Sequence, residues 1–434
     1  MKCSASLCGL AYLALPIVLP AMVGAIAPAA VSDAYAEDRV DSTTTWYQER
    51  RKGNLGGLTV VHPQFDIGVD VGENTTLDLG YSADAVSGAT AAVYSTDAVS
   101  SATTFKDLRH AANTGITFYG SRSTLSISGN IGTERDYNSI GVGVSAKIDL
   151  PGKNTALALS YNHGFDQVCD FDNGMATALE RRPLTGQQAC KKKSMLLGED
   201  VKDDSIWRDL SLDATQATIT QNLSPSVVAQ VGLFGQVIRG FQSNPYRRVR
   251  VSGVEAQEHL PNVRGRVALM ARVNKYLPEI KSAMHAMFRG YTDTWGVNSV
   301  TVGLGYSQYF GNSLLLRTNA RIYQQSEATF FKDAFFYETE GSAGEYFTGD
   351  RELGAIRNIV GGMKFSYIKF DEDGGNVLGV FDEVSFNLKG EVYLLDELPA
   401  DPIEDNREGI DRQFLSSGQA VDAFTLQLGM LFRY

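Results

Sequence analysis

The chain is predicted to be all-β: a closed antiparallel up-and-down transmembrane barrel of about sixteen strands (fourteen to eighteen) behind an N-terminal export signal. Three observations predict it. Bulky apolar and polar residues alternate with a period of two along some sixteen segments between Thr43 and Tyr434. Short turns and long connections take turns along the chain. Beyond the N-terminus, no apolar run reaches the roughly 18 residues that a spanning helix needs. Of the 434 residues, 43% are hydrophobic and 43 are glycine, which is too polar for helical spans and suits a wall with one lipid face and one wet face.

Residues 1–36 read as a signal peptide. Met1-Lys2 is a minimal positive region, residues 7–30 are almost wholly apolar, and Ala34-Tyr35-Ala36 offers a small-x-small cleavage site ahead of Glu37. The alternative is a retained anchor helix, against which Pro16, Pro20 and Pro28 argue. Residues 37–434 then form the barrel domain with long external loops.

A short first strand spans 43–50 with Trp46 and Tyr47, and 53–57 turn. In 58–71, Phe65, Ile67, Val69 and Val71 oppose Gln64, Asp66, Gly68 and Asp70; Gly72-Glu73-Asn74 returns the chain into 75–85. The loop around 86–108 holds a near-repeat, 84–90 (DAVSGAT) and 97–103 (DAVSSAT), read as two similar turns, with weak calcium binding by Asp84 and Asp97 as the alternative. Strands at 109–121, 123–133, 137–150 and 155–166 come next, with an unambiguous turn at 151–154. After the longest loop, 167–208, strands 209–222 and 226–241 pair around Ser224-Pro225, the first changing face partway. Beyond the 242–261 loop lie strands at 262–277, 281–294, 296–310, 313–331, 354–370 and 384–395, then an acidic loop and the closing strand. The tight returns fall on one side and the long loops on the other, apart from short outer links near Glu134 and Trp295. An even count places both termini in the periplasm. Without the weak first strand the count is fifteen.

The closing strand carries Phe424, Leu426, Leu428, Met430, Phe432 and Tyr434 on one face and ends on an aromatic residue. That ending is similar to the terminal strand of bacterial outer-membrane barrels, which implies that Phe432 and Tyr434 form the signal read by the barrel-assembly machinery. Aromatics near strand ends, including Trp46, Trp295, Phe310 and Phe370, fit interfacial girdles.

Cys3 and Cys8 leave with the signal; Cys169 and Cys190 remain in one polar segment of an exported chain and are expected to staple that loop as a disulfide. The net charge of −11 is unchanged by signal removal, which takes one lysine and one aspartate, and argues against a nucleic-acid partner. Five dispersed histidines, with no metal-ligand or Ser-His spacing, argue against catalysis, a bound metal or a cofactor.

Splitting each strand by face gives the lumen lining. An acidic wall is expected from Asp66, Asp70 and Asp78, and a basic wall from Arg264, Arg266, Arg272, Arg289, Arg317 and Arg321, with His285, Tyr291 and Tyr323 among them. About eight strands separate the two groups, so they face each other; small inward residues such as Ser126, Ser128, Gly141 and Gly143 leave space for water. The arginines either favour anionic groups through bidentate contacts or pair with carboxylates such as Asp293 and Glu391 and brace the wall.

Short motifs at 84–90, 97–103, 244–247 (NPYR), 285–296 (HAMFRGYTDTWG) and 321–331 (RIYQQSEATFF) resemble a family of uncharacterised Gram-negative outer-membrane proteins defined only as a domain of unknown function. The resemblance covers most of the mature chain. It implies a porin-like barrel lodged among outer-membrane lipid and lipopolysaccharide, and brings no substrate with it. The expected function is passage of small hydrophilic solutes through a polar lumen. The alternative is a non-transporting scaffold or surface-binding barrel whose lumen is plugged, with 244–250 as the plug and a periplasmic or surface protein as an unspecified partner.

Overall fold

The computed structural model describes residues 38–50, 58–90, 103–134, 137–170, 206–243, 248–251, 254–331, 345–370, 377, 380–398 and 421–434. The expected signal peptide, Cys190, Asp97 and most of the long outer loops lie outside these residues.

Sixteen strands close into one antiparallel barrel. In chain order they are β1 (Arg39–Glu49), β2 (Thr59–Gly72), β3 (Thr75–Thr90), β4 (Thr103–Tyr119), β5 (Ser123–Thr133), β6 (Tyr137–Asp149), β7 (Thr155–Asp170), β8 (Ile206–Ser224) and β9 (Val227–Gly240), then β12 (Val263–Leu277), β13 (Ser282–Asp293), β14 (Asn298–Phe310), β15 (Leu314–Gln325), β16 (Ile356–Phe370), β17 (Glu383–Glu397) and β18 (Ala423–Arg433). Two further strands, β10 (Arg248–Val251) and β11 (Val254–Gln257), pair only with each other in the connection after β9. Every barrel strand finds its predicted counterpart. The first strand, argued partly from parity, is real: β1 pairs with β2 on one side and with β18 on the other, from Arg39 opposite Arg433 to Glu49 opposite Ala423. Closure leaves no strand edge unpaired, the condition for a sheet to stand in hydrocarbon.

The period of two sorts the wall. Along β14, Val300, Val302 and Leu304 are 48%, 47% and 61% exposed, whereas Ser299 and Thr301 between them are 6% each. Exposed leucine, valine, isoleucine and phenylalanine recur on the outside of nearly every strand, and the polar positions point inward. An apolar exterior with a polar interior inverts a soluble barrel.

Three expectations are corrected. β3 runs to Thr90 and pairs with β4 from Thr103, so the first copy of the near-repeat is strand rather than turn, Gly88 included, which pairs with Phe105. β15 stops at Gln325, and the residues beyond leave the wall to pack inward. Trp295 is 4% exposed and belongs to that inward cluster, not to an interfacial girdle.

The reversal within β8 also has a cause. Its outer half turns Leu210 and Leu212 inward, against Tyr137, Val168, Ile238 and Phe241. Asp209 and Asp213 then face out, where Asp213 accepts from Tyr161 and from Arg239 at 2.7 and 3.0 Å. Gly240 ends β9 at φ +119°, and a Cβ there would lie 2.1 Å from the Asp209 carbonyl oxygen. Gly240→Ala is therefore expected to cost at least about 1 kcal/mol in denaturant unfolding, whereas Gly235→Ala, with open space around its Cβ, should change little.

Candidate functional site: the lumen wall

All six expected arginines lie on inward positions: Arg264, Arg266 and Arg272 on β12, Arg289 on β13, Arg317 and Arg321 on β15. They are not equivalent. Arg264 is clamped: its Nε and Nη2 donate to one oxygen of Asp293 at 2.9 and 2.5 Å, and its guanidinium lies 4.1 Å over the Trp295 ring. The Asp293 side chain is fully buried and also accepts from the Tyr291 hydroxyl at 2.7 Å and from the Trp295 and Val297 backbone N–H groups, both at 3.0 Å. This part of the wall is a brace, as one of the two readings anticipated. Arg266 donates to Gln236 at 3.1 Å and Arg272 to Asn274 at 3.0 Å, both neutral partners; Arg289 lies 5.4 Å from the Tyr291 ring centre.

Asp66, Asp70 and Asp78 point inward from β2 and β3. Asp78 receives Arg39 at 2.7 Å, a partner missed from the sequence although it occupies the inward parity of β1. Asp70 accepts from Thr76 Oγ1 at 3.0 Å. Asp66 sits opposite Asp41 on β1 and Gly80 on β3, and a Cβ at Gly80 would come within 2.3 Å of its Oδ1. The sheet order puts β3 and β13 eight steps apart around sixteen strands.

Opposite charges also come close elsewhere. At the end of the barrel that carries both termini and the short turns, about 550 Å³ of empty space, open to solvent, is lined by Asp41, Arg317, Lys364, Glu383, Asn387 and Gln427 among others. Asp41 on β1 and Lys364 on β16 are separated only by β17 and β18. Lys364 is the register partner of Arg317 on one side and Lys389 on the other. Lys389 pairs with Glu391 at 2.8 Å, and Glu383 with Arg433 at 2.7 Å. Asp41 on β1 and Lys364 on β16 lie outside the acidic and basic walls expected from the sequence.

The outer end is packed differently. Leu260, Trp295, Val297, Ala328, Phe331 and Leu353 form a buried cluster. Backbone bonds join His259 to Phe347, and Thr348 donates to the buried Glu258 carboxylate at 2.6 Å. The connections after β9 and β15 are thus knitted together over the outer ends of β12–β15. Of the expected plug, residues 244–247 lie outside the described residues and 248–250 belong to β10.

Cys169, fully buried, is disulfide-bonded. At the C-terminus, the Phe381 ring lies 5.1 Å from that of Phe432 and 4.9 Å from that of Tyr434, and β1 captures the last residue through a Tyr434 N–H bond to Asp38. The histidines stay apart: His62 bonds Asp84, His110 bonds Tyr81, and His163 bonds Asp213 on the outer face.

Among solved structures, the chain is similar to a bacterial polysaccharide outer membrane secretin at 8% identity and TM-score 0.46, covering 93% of this chain and 100% of that one. It is similar to OccD3 (OpdP) of Pseudomonas aeruginosa at 7% identity and TM-score 0.38, covering 92% and 91%. A third likeness is to the siderophore receptor PirA from Pseudomonas aeruginosa, at 9% identity and TM-score 0.39, covering 83% of this chain but only 57% of the receptor. Likeness at this level says nothing of cargo. No curated protein matches the chain. The profile of the proteins of unknown function grouped as DUF3570 matches residues 92–378, about two thirds of the sequence. The motifs quoted at 244–247, 285–296 and 321–331 all fall inside that match, and the chain belongs to this family.

Proposed function

We propose that the barrel stands in the outer membrane of a Gram-negative bacterium and passes small hydrophilic solutes along its lumen. One observation carries this reading: inside an apolar wall, charged and hydroxylated side chains surround an unfilled, solvent-open cleft at the short-turn end. A barrel built only to hold its shape gains nothing from charged groups around empty space, because each loses part of its hydration. In this reading residues 1–36 direct export, Phe432 and Tyr434 guide assembly, and the outer loops meet lipopolysaccharide.

A second reading has its own support. The knitted connections after β9 and β15 fill part of the outer mouth, as a scaffold with a plugged lumen requires. Planar-bilayer recordings separate the two. The purified barrel should give discrete conductance steps, larger or more frequent after residues 241–262 are shortened. If neither protein gives steps, transport is excluded and the scaffold stands.

A further inference from the structure

The geometry points to a binding site for small zwitterionic solutes, bearing one ammonium and one carboxylate, in the cleft at the short-turn end. The inference rests on the reading of the lumen as a solute path and names the class of solute it takes.

Most charges on this wall have partners. Arg39 meets Asp78, Lys389 meets Glu391, Arg264 meets Asp293 and Arg433 meets Glu383, at 2.5 to 2.8 Å. Two charges that line the cleft do not follow this pattern. Asp41 accepts a single hydrogen bond, from Thr43 Oγ1 at 3.3 Å, and forms no ion pair among the described residues. The Lys364 ammonium makes neither a hydrogen bond nor an ion pair among them. Both are inward and both border the same space; each feels the other's charge, but with β17 and β18 between their strands they make no direct ion pair among the described residues.

An anion alone would satisfy Lys364 and be repelled by Asp41; a cation alone would do the reverse. A solute with its own ammonium turned to Asp41 and its carboxylate turned to Lys364 satisfies both, since charge-assisted hydrogen bonds are the stronger kind. Arg317, the register partner of Lys364, adds a second cation at the carboxylate end. Thr43, Ser366 and Asn387 supply neutral donors and acceptors between the two ends.

Three probes with the same four-carbon chain test this: 4-aminobutyrate, butyrate and butylamine, each measured by equilibrium dialysis against the full-length mature barrel in detergent. The zwitterion should bind about tenfold more tightly than either singly charged probe, the size of one hydrogen bond to a charged group. D41N should erase the preference over butyrate and leave that over butylamine. K364M should do the opposite, and K364R should restore the wild-type pattern, so that loss of fold is not mistaken for loss of a contact. Equal binding of all three probes, binding of none, or a preference unmoved by both substitutions overturns the site. Because the assay needs no open path, its failure is distinct from failure of the conductance test.

Discussion

Replacing Asp293 with alanine is expected to lower the unfolding free energy of the barrel by about 3–5 kcal/mol, the range for removing one partner of a buried ion pair. The reason is arithmetic of bonds rather than of charge alone. The Asp293 carboxylate accepts from Arg264 through two nitrogens, from the Tyr291 hydroxyl and from two backbone N–H groups of the 294–297 link. Its removal leaves Arg264, 9% exposed, as an uncompensated charge and frees the turn between β13 and β14. Arg264→Leu in the Asp293→Ala background should recover part of the loss, because the stranded charge goes with it. Guanidinium unfolding into lipid vesicles measures both. A loss below about 1 kcal/mol would mean that the pair behaves as a hydrated surface pair and that the outer brace is not closed to water.

How much of this was legible depends on which constraint dominates each segment. Where lipid lies on one side and water on the other, the alternation is forced, and each strand of the wall could be located: β5 (Ser123–Thr133) coincides with its predicted span, while the outer ends of β3, β4 and β15 differ from theirs by five or six residues. Parity also placed all nine predicted wall charges inward, since a one-residue slip would expel a whole face. Legibility failed where the inside of the barrel is itself apolar. Leu210 and Leu212 serve an internal core, so the apolar set of β8 swaps faces and the pattern contradicts itself. An aromatic at a strand end has two explanations, girdle or internal core, and for Trp295 its burial against Leu260, Phe331 and Leu353 and its contact with Arg264 separate them. Pairing was the least legible property. That Arg264 is spent on Asp293 while Lys364 is left over depends on neighbours across the sheet, and Arg39 enters the acidic wall only because β1 closes the seam.

Leu304→Arg is expected to cost about 2–4 kcal/mol when the protein is folded in a bilayer, the penalty for a cation near the midplane of a barrel's lipid face. Leu304 sits at the middle of β14 and is 61% exposed. In water, a residue that open would tolerate arginine within about 0.5 kcal/mol, so the sign and size of the effect identify the solvent on the outside of the wall. Phe310→Arg supplies the depth control. Phe310 is 52% exposed at the short-turn end of the same strand, where the headgroup region should reduce the cost to about 0–1 kcal/mol. A gradient between the two positions, read as shifts in unfolding midpoint at unchanged m-value, requires hydrocarbon against Leu304. Equal and negligible costs would place water there, and the outer-membrane assignment, the lumen as a path and the zwitterion site would all lose their footing together.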